Sequence, residues 1–283
     1  MNHIFTNHGE KIPCSEPTLY RYIDEGLLTV KNIDLLRKVT YKPRKQTEQR
    51  TSLERACPVN RTYEYFLSYI SENPDANIVE MDTVVGSEPG KVLPTMLFRN
   101  CSLMVAFLME NNRSDSVIQI FRFLRSTLGS DRFAKLFPVI LCDRGSEFSN
   151  PWALKCDEYG KILSHLFYCN ANAPYQKRRL EKNHEFIRYV LPKGTSFNAL
   201  KQADITKIMN HINSTTRASL NGQPPFKLTT LLLDSKLLNV LNLELVEPDN
   251  VLLKLMLERR QVEFSLTDPF QLSVFHVKNR LIL

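Results

Sequence analysis

Two short apolar runs that each finish on an aspartate constrain this chain more than any other feature: IVEMD at 78–82 and PVILCD at 138–143. Each is too short for an ordinary helix and has the composition of a buried strand. Strands that are neighbours in one sheet would bring Asp82 and Asp143 to a single spot, and the remaining elements decide whether that happens.

Between the two runs lie VLPTMLF (92–98) and LMVAFL (103–108), separated by Arg99, Asn100, Cys101 and Ser102. That spacing predicts a hairpin, and Pro94 predicts a free edge or a bulge in the first of its strands. From Ser114 a helix is expected, because Val117, Phe121, Leu124 and Leu128 follow helical spacing and Gly129 can end it. A helical stretch follows near Pro151, then a strand at HLFYC (165–169), then a helix from about Gln176 to Val190 that Pro192 stops. Antiparallel strands come first, then alternating helices and strands. The fold class this order predicts is α/β of the ribonuclease-H-like (integrase catalytic core) type, in which the first and fourth strands are neighbours.

The flanks are different. The chain of 283 residues is 43% hydrophobic with a formal net charge of +7, which favours an anionic partner such as nucleic acid. Residues 31–61 hold nine basic residues against Asp34, Glu48 and Glu54. The segment reads as a basic arm or linker that tracks phosphates, with Lys42, Arg44 and Lys45 as DNA-binding candidates. Ahead of it, SEPTLYRYIDEGLL (15–28) predicts one helix, with Ser15 as N-cap, Pro17 early, and Leu19, Tyr22 and Ile23 on one face. Tyr20 and Arg21 would stand on its outer side, as in the second helix of a helix-turn-helix. The six cysteines form no CxxC pair, so reduced thiols are expected rather than a zinc site. No signal peptide or membrane-length apolar run is visible. A soluble, cytoplasmic, nucleoid-associated protein is expected.

The last helix offers a third acid. At about 100° per residue, Leu180, His184, Ile187 and Leu191 form one stripe, the expected core face. Glu181, Glu185 and Arg188 form a second stripe about a quarter-turn away. Glu181 therefore sits at the edge of the buried face, where a metal ligand belongs, and Glu185 is the runner-up. Attack on a phosphodiester uses two magnesium ions about 3.5–4 Å apart, one activating the nucleophile and one stabilising the leaving oxygen. Such hard ions take carboxylate oxygens. Asp82, Asp143 and Glu181 are thus the candidate catalytic and metal-binding residues for Mg2+ or Mn2+.

Four stretches, IVEMDTVVG (78–86), LCDRGSEF (141–148), APYQKRRLEKNHEFIRYVLPKGTSF (173–197) and HINSTTRASLNGQPPF (211–226), resemble transposases of the insertion-sequence-thirty family. The PKGT run at 192–195 after an acid on a helix is the most specific of these signatures, and the three acids fall at the family's positions. Residues 18–28 resemble the end of that family's N-terminal DNA-binding region. The resemblance implies a DDE transposase that cleaves double-stranded DNA at transposon ends and transfers strands to a target, with magnesium, as a homo-oligomer in a synaptic complex. It also implies basic residues on the DNA backbone near the acids, for which Lys177, Arg188 and Lys193 are candidates. The expected organisation is 1–30 as a partial helix-turn-helix, 31–72 as basic linker, 73–221 as catalytic core, and 222–283 as a helical tail with a disordered end. The chain departs from the family in having Arg144 after the second acid, where a cation could compete with magnesium, and Arg178 and Arg179 before the third. After about Glu258 the resemblance ends. Those departures motivate an alternative, a catalytically impaired DNA-binding relict. A transcription regulator using the 15–28 helix is weaker, because it leaves the acids and the PKGT run without a role.

Overall fold

The computed structural model describes residues 2–35, 60–87, 89–171 and 173–253. In chain order the helices and strands are α1 (Asn2–His8), α2 (Glu16–Asp24), α3 (Tyr63–Glu72), β1 (Ile78–Val85), β2 (Val92–Phe98), β3 (Leu103–Ala106), α4 (Ser114–Leu128) and α5 (Ser130–Leu136). There follow β4 (Val139–Cys142), α6 (Pro151–Lys155), β5 (His165–Tyr168), α7 (Arg178–Val190), α8 (Gln202–Ser214), α9 (Pro225–Leu232) and α10 (Ser235–Val240). Lys42, Arg44 and Lys45, and the tail from 254 onwards, lie outside the described residues.

The strands form one sheet in the order β3-β2-β1-β4-β5. β1, β2 and β3 run antiparallel, while β4 lies parallel to β1 and β5 parallel to β4. This is the ribonuclease-H-like arrangement that the order of elements predicts. Ser102, with φ of 56°, provides the left-handed residue that turns the β2–β3 hairpin. Chain reversal through α4 and α5 then carries the polypeptide from one edge of the sheet to the far side of β1. Every residue of β4 is buried, as a parallel strand covered on both faces requires.

Pro94 behaves differently from the expectation of a free edge. β2 is an interior strand, paired on both sides. Phe107 N–H donates to the Pro94 carbonyl at 3.0 Å, so the proline nitrogen also faces β3. There the missing donor ends the ladder: β3 stops at Ala106, and pairing resumes only as a bridge between Val92 and Met109. The edge on this side of the sheet is β3, and α8 covers it. The Asn213 side chain accepts from Met104 N–H at 2.9 Å and donates to Met104 carbonyl at 2.8 Å, as a neighbouring strand would. Gln202 repeats the device, accepting from Leu108 N–H at 2.8 Å and donating to Ala106 carbonyl at 3.1 Å. Two amides thus satisfy backbone groups that would otherwise template aggregation.

The main core joins Val79, Met81, Ile140, Cys142 and Leu166 of the sheet to Phe121, Phe133 and Phe137 from α4, α5 and the residue after it. On the opposite face Ile78, Val139, Leu141, Phe167 and Cys169 pack on Phe66 of α3. That corrects the reading of 31–72 as linker throughout. Tyr63, Phe66, Tyr69 and Ile70 recur at helical spacing, and that stripe buries itself on β4 and β5. Phe66 is only 2% exposed, which is worth about 1.5–3 kcal/mol of burial.

The core also runs past 221. Leu237, Leu238, Leu243 and Leu253 belong to it, so α9, α10 and the segment after them are built onto the same unit. α1 is docked there too: the His3 ring nitrogens meet Thr216 Oγ1 at 2.9 Å and the Pro248 carbonyl at 3.1 Å. α2 has Ser15 as N-cap and buries Leu19 and Ile23, as its pattern predicts.

The PKGT run acquires a structural role. Ser87 N–H donates to Thr195 carbonyl at 3.2 Å. A Cβ on Gly86 would lie 2.3 Å from that carbonyl oxygen and 3.1 Å from the Phe197 ring. Gly86→Ala is therefore expected to destabilise the fold by about 1–3 kcal/mol in urea denaturation, and an unchanged midpoint would show that this loop is not pinned to β1.

A second expectation concerns pH. His211 is buried, its Nδ1 accepts from Leu252 N–H at 3.0 Å, and burial, aided by Lys207, lowers its pKa from 6.5 to about 4. Between those values the unfolded chain binds the extra proton and the folded one does not. The stability that a neutral His211 allows is therefore full above pH 6.5 and is lost as pH falls toward 4. His211→Gln should flatten the fall of the unfolding midpoint across that window; an unaltered slope would refute the assignment.

Candidate active site

The site is framed by an acid that the strand pattern alone does not single out. Glu80 lies on the same face of β1 as Asp82, two residues away, and its side chain is 1% exposed. The first N–H groups of any helix lack intrahelical partners, and Lys177, at the N-cap of α7, makes no side-chain cap. Glu80 takes over that duty from another strand: its Oε2 accepts from Leu180 N–H at 2.8 Å. Its Oε1 takes the guanidinium of Arg99. Arg99 in turn donates to Gln176 carbonyl at 3.3 Å and lies 5.4 Å from the centre of the Phe66 ring. A buried ion pair thereby fixes where α7 begins.

Asp82 and Asp143 meet as the two runs predict. The β1–β4 register aligns Ile78 with Val139 and Glu80 with Leu141, so two residues further on the aspartates stand side by side. Between them lies Lys177, only 4% exposed. Its Nζ is 3.2 Å from Asp82 Oδ2, 3.4 Å from Asp143 Oδ2 and 3.1 Å from the Met81 carbonyl. The other oxygens are held by backbone: Asp82 Oδ1 accepts from Thr83 N–H at 2.8 Å, and Asp143 Oδ1 from Gly145 N–H at 3.0 Å. Each carboxylate is thus oriented with one oxygen facing the shared cation.

Burial raises the Asp143 pKa; Lys177 opposes that rise and Asp82 adds to it. Burial alone would pull the Lys177 ammonium down, but Asp143 and Asp82 outweigh it and hold it charged above its ordinary range. Lys177 is therefore not on an open face, where a DNA-backbone contact was expected. It is the internal counter-ion of the acid pair.

Glu181 follows Leu180 directly but faces outward. It is exposed, rather than at the edge of the buried face. Partial burial and the negative charge of Asp82 raise its pKa, against the pull of Lys177, so it stands on the rim within the field of the pair. Among the described residues no three His, Cys, Asp or Glu side chains form a ready metal cluster. Two acids converge, and the third stays one helical step outside. Glu185 is exposed a turn further along.

The rest of the α7 stripe divides. Leu180, Ile187 and Leu191 are buried as expected. His184 Nε2 lies 2.8 Å from Thr95 Oγ1, and that hydroxyl donates to the Asp82 carbonyl at 3.0 Å. Burial, with Lys177 and Arg188, lowers the His184 pKa to about 4, so a neutral ring ties α7 to the backbone of Asp82. Arg188 is turned inward, donating to Val85 carbonyl at 3.0 Å; its position is that of a tie between α7 and β1, not of an open DNA contact. Lys193 is exposed beside the helix end, as are Arg178, Arg179 and Lys182 around Glu181. Arg144 is exposed as well; the Glu64 pKa is lowered chiefly by the Asn170 hydrogen bond, to which the Arg144 charge adds little. The cation that crowds Asp143 is Lys177. Tyr20 is half-buried on α2, where Arg21 is exposed and reaches Glu25 at 4.0 Å.

A ribonuclease-H-like sheet that gathers two aspartates at the ends of adjacent strands, with an acid on the helix crossing them, defines an integrase-type core. The sequence comparisons find similarity to proteins named as integrases and transposases of mobile elements. The chain is 26% identical over 220 residues to the putative integrase ORF3 of a Spiroplasma virus, covering 77% of this chain and 63% of that protein. It is likewise 26% identical over 232 residues to the probable transposase for insertion-like sequence element IS1161 of Streptococcus salivarius, covering 78% of this chain and 61% of that protein. Over 62 residues it is 27% identical to the transposase for insertion sequence element IS1086 of Cupriavidus metallidurans, covering 22% of this chain and 18% of that protein. The chain thus spans about three-fifths of the length of the first two relatives. No family profile matches it. Among solved structures, the catalytic core domain of BIV integrase matches with a TM-score of 0.38 and 14% identity over 54% of this chain and 93% of that one. A chain of the simian T-cell lymphotropic virus intasome matches with a TM-score of 0.40 and 12% identity over 53% of each. The fold assignment stands on the strand order itself.

Removing Glu80 should strand both Arg99 and the Leu180 N–H. Glu80→Ala is expected to cost about 3–5 kcal/mol in guanidinium denaturation, and Glu80→Gln distinctly less, because an amide oxygen can still cap α7. Equal losses in the two variants would contradict the capping role.

Proposed function

We propose that this chain is the catalytic part of a DDE transposase, which uses Mg2+ or Mn2+ to cleave DNA at the ends of a mobile element and join the freed strands to a target. The observation that carries this is the pair of Asp82 and Asp143, whose Oδ2 atoms already converge on one cation. Two oriented carboxylate oxygens on a rigid sheet are the donor chemistry a hard divalent ion requires. The ammonium of Lys177 shows that the seat accepts positive charge.

Asp82 and Asp143 would hold the metal, and Glu181 would close the set from the rim as DNA and metal neutralise the site. When bound, the ion supplies Lewis-acid activation of a water or 3′-hydroxyl and stabilisation of the departing oxygen. The protein supplies orientation. Backbone N–H groups fix both aspartates, and Glu80, His184 and Arg188 fix α7 relative to them. Exposed Arg178 and Lys182 flank Glu181, and Lys193 stands beyond the other end of α7; all three suit contacts to the DNA backbone. The segment carrying Tyr20, Arg21, Lys42, Arg44 and Lys45 would extend the DNA contact, and two element ends would be synapsed by a homo-oligomer. The working division is an N-terminal DNA-contacting segment, a basic linker that ends before α3, and a core that includes α8 to α10. Among the described residues no helix is long and apolar enough to cross a membrane, and a protein acting on bacterial DNA would work at the nucleoid.

The test is nicking of supercoiled plasmid by the purified chain with Mg2+ or Mn2+. Wild type is expected to nick, while Asp82→Asn and Asp143→Asn should fall below detection with unchanged circular dichroism. Wild-type rates in both variants would overturn the assignment of the acids. Salt-sensitive DNA binding by a wild type that nicks nothing would favour the impaired, DNA-binding relict instead.

A further inference from the structure

We propose that Lys177 competes with the divalent metal for the Asp82–Asp143 seat: it closes the pair in the metal-free protein and is expelled toward the rim when metal binds. This rests on the reading of the two aspartates as metal ligands. An ammonium has three donors, and here all three have acceptors: Asp82 Oδ2 at 3.2 Å, Asp143 Oδ2 at 3.4 Å and Met81 carbonyl at 3.1 Å. The oxygens left over, Asp82 Oδ1 and Asp143 Oδ1, are taken by the Thr83 and Gly145 N–H groups. A metal bridging the pair would therefore need the same Oδ2 atoms that the lysine holds. Magnesium sits about 2.0–2.1 Å from its ligands, so an ion bonded to both would lie against the ammonium with like charge and no screening water between them.

The lysine has a way out. It ends the one-turn 3-10 helix Pro174–Lys177 and immediately precedes α7, so its stem can swing without unwinding a regular helix. The rim beside it is exposed at Arg178 and Glu181, so the released ammonium can reach water. Arg144, the cation that sequence places beside Asp143, makes no comparable claim, because it is exposed and the nearest ammonium to the carboxylates belongs to Lys177.

The experiment is Mn2+ titration by calorimetry of the full chain without DNA, for wild type, Lys177→Met and the Asp82→Asn/Asp143→Asn double variant. Wild type is expected to bind Mn2+ and the double variant to lose it. Lys177→Met should bind at least about tenfold more tightly than wild type. Affinity that is unchanged or weaker in a folded Lys177→Met overturns the competition while leaving the metal site standing. Wild-type binding that the double variant retains overturns the site, and the competition with it. Lys177→Met leaves two carboxylates facing each other; should it fail to fold, lysine acetylation of the wild type mapped by mass spectrometry decides. Lys177 should be protected without Mn2+ and labelled with it, and protection in both states overturns the proposal.

Discussion

Two carboxylates forced together at the ends of adjacent strands are the constraint around which the molecule is arranged. The β1–β4 register leaves Asp82 and Asp143 no freedom to separate, and like charges at that distance repel strongly in a partly dry environment. Something positive must lie between them. That cation is Lys177, drawn in from the start of α7 although burying an ammonium is costly. The pair and the lysine hold one another in place, and the beginning of α7 is thereby committed to the sheet.

The rest of α7 is secured in the same direction. Glu80 caps its first turn, His184 reaches the Asp82 backbone through Thr95, and Arg188 meets the end of β1. On its far side, Asn183 accepts from Arg217, a buried guanidinium that also lies 4.6 Å from the centre of the Phe186 ring. Burial lowers the Arg217 pKa to about 10, yet it remains a cation at neutral pH, tying α7 to the segment after α8. The 192–195 run then returns to Gly86. A helix anchored to one strand at its start, middle and end can present Glu181 at a fixed place on the rim, which is what a site needs if the last ligand is to arrive with metal and DNA.

Much of the fold is legible in the order of apolar runs. The five strands, α4 with its Gly129 stop and α7 with its Pro192 stop all fall close to where periodicity and breakers put them. α1, α3, α5 and α8 are not legible in this way; α3 is the instructive case, since its Tyr63, Phe66, Tyr69 and Ile70 stripe sits next to a basic stretch whose charge is the louder signal. Within the site, Asp82 and Asp143 are readable because strand ends are a one-dimensional feature. Glu80 is not, because an acid in mid-strand declares a purpose only once a helix N-terminus is set above it. A lysine four residues before an acid looks like a surface pair, and nothing local marks Lys177 as buried.

By itself, then, the linear chain determined the strands, α4, α7 and the two strand-end acids, because hydrophobic spacing and turn residues act over a few positions. Only the tertiary structure decided which cation faces the acids, that Arg188 turns inward, that β3 rather than β2 is an edge, and that Glu181 waits outside the pair. Those outcomes depend on the register between β1 and β4 and on the angle at which α7 crosses the sheet. Both are set by contacts between residues about 60 to 100 positions apart, at separations where no local pattern carries information.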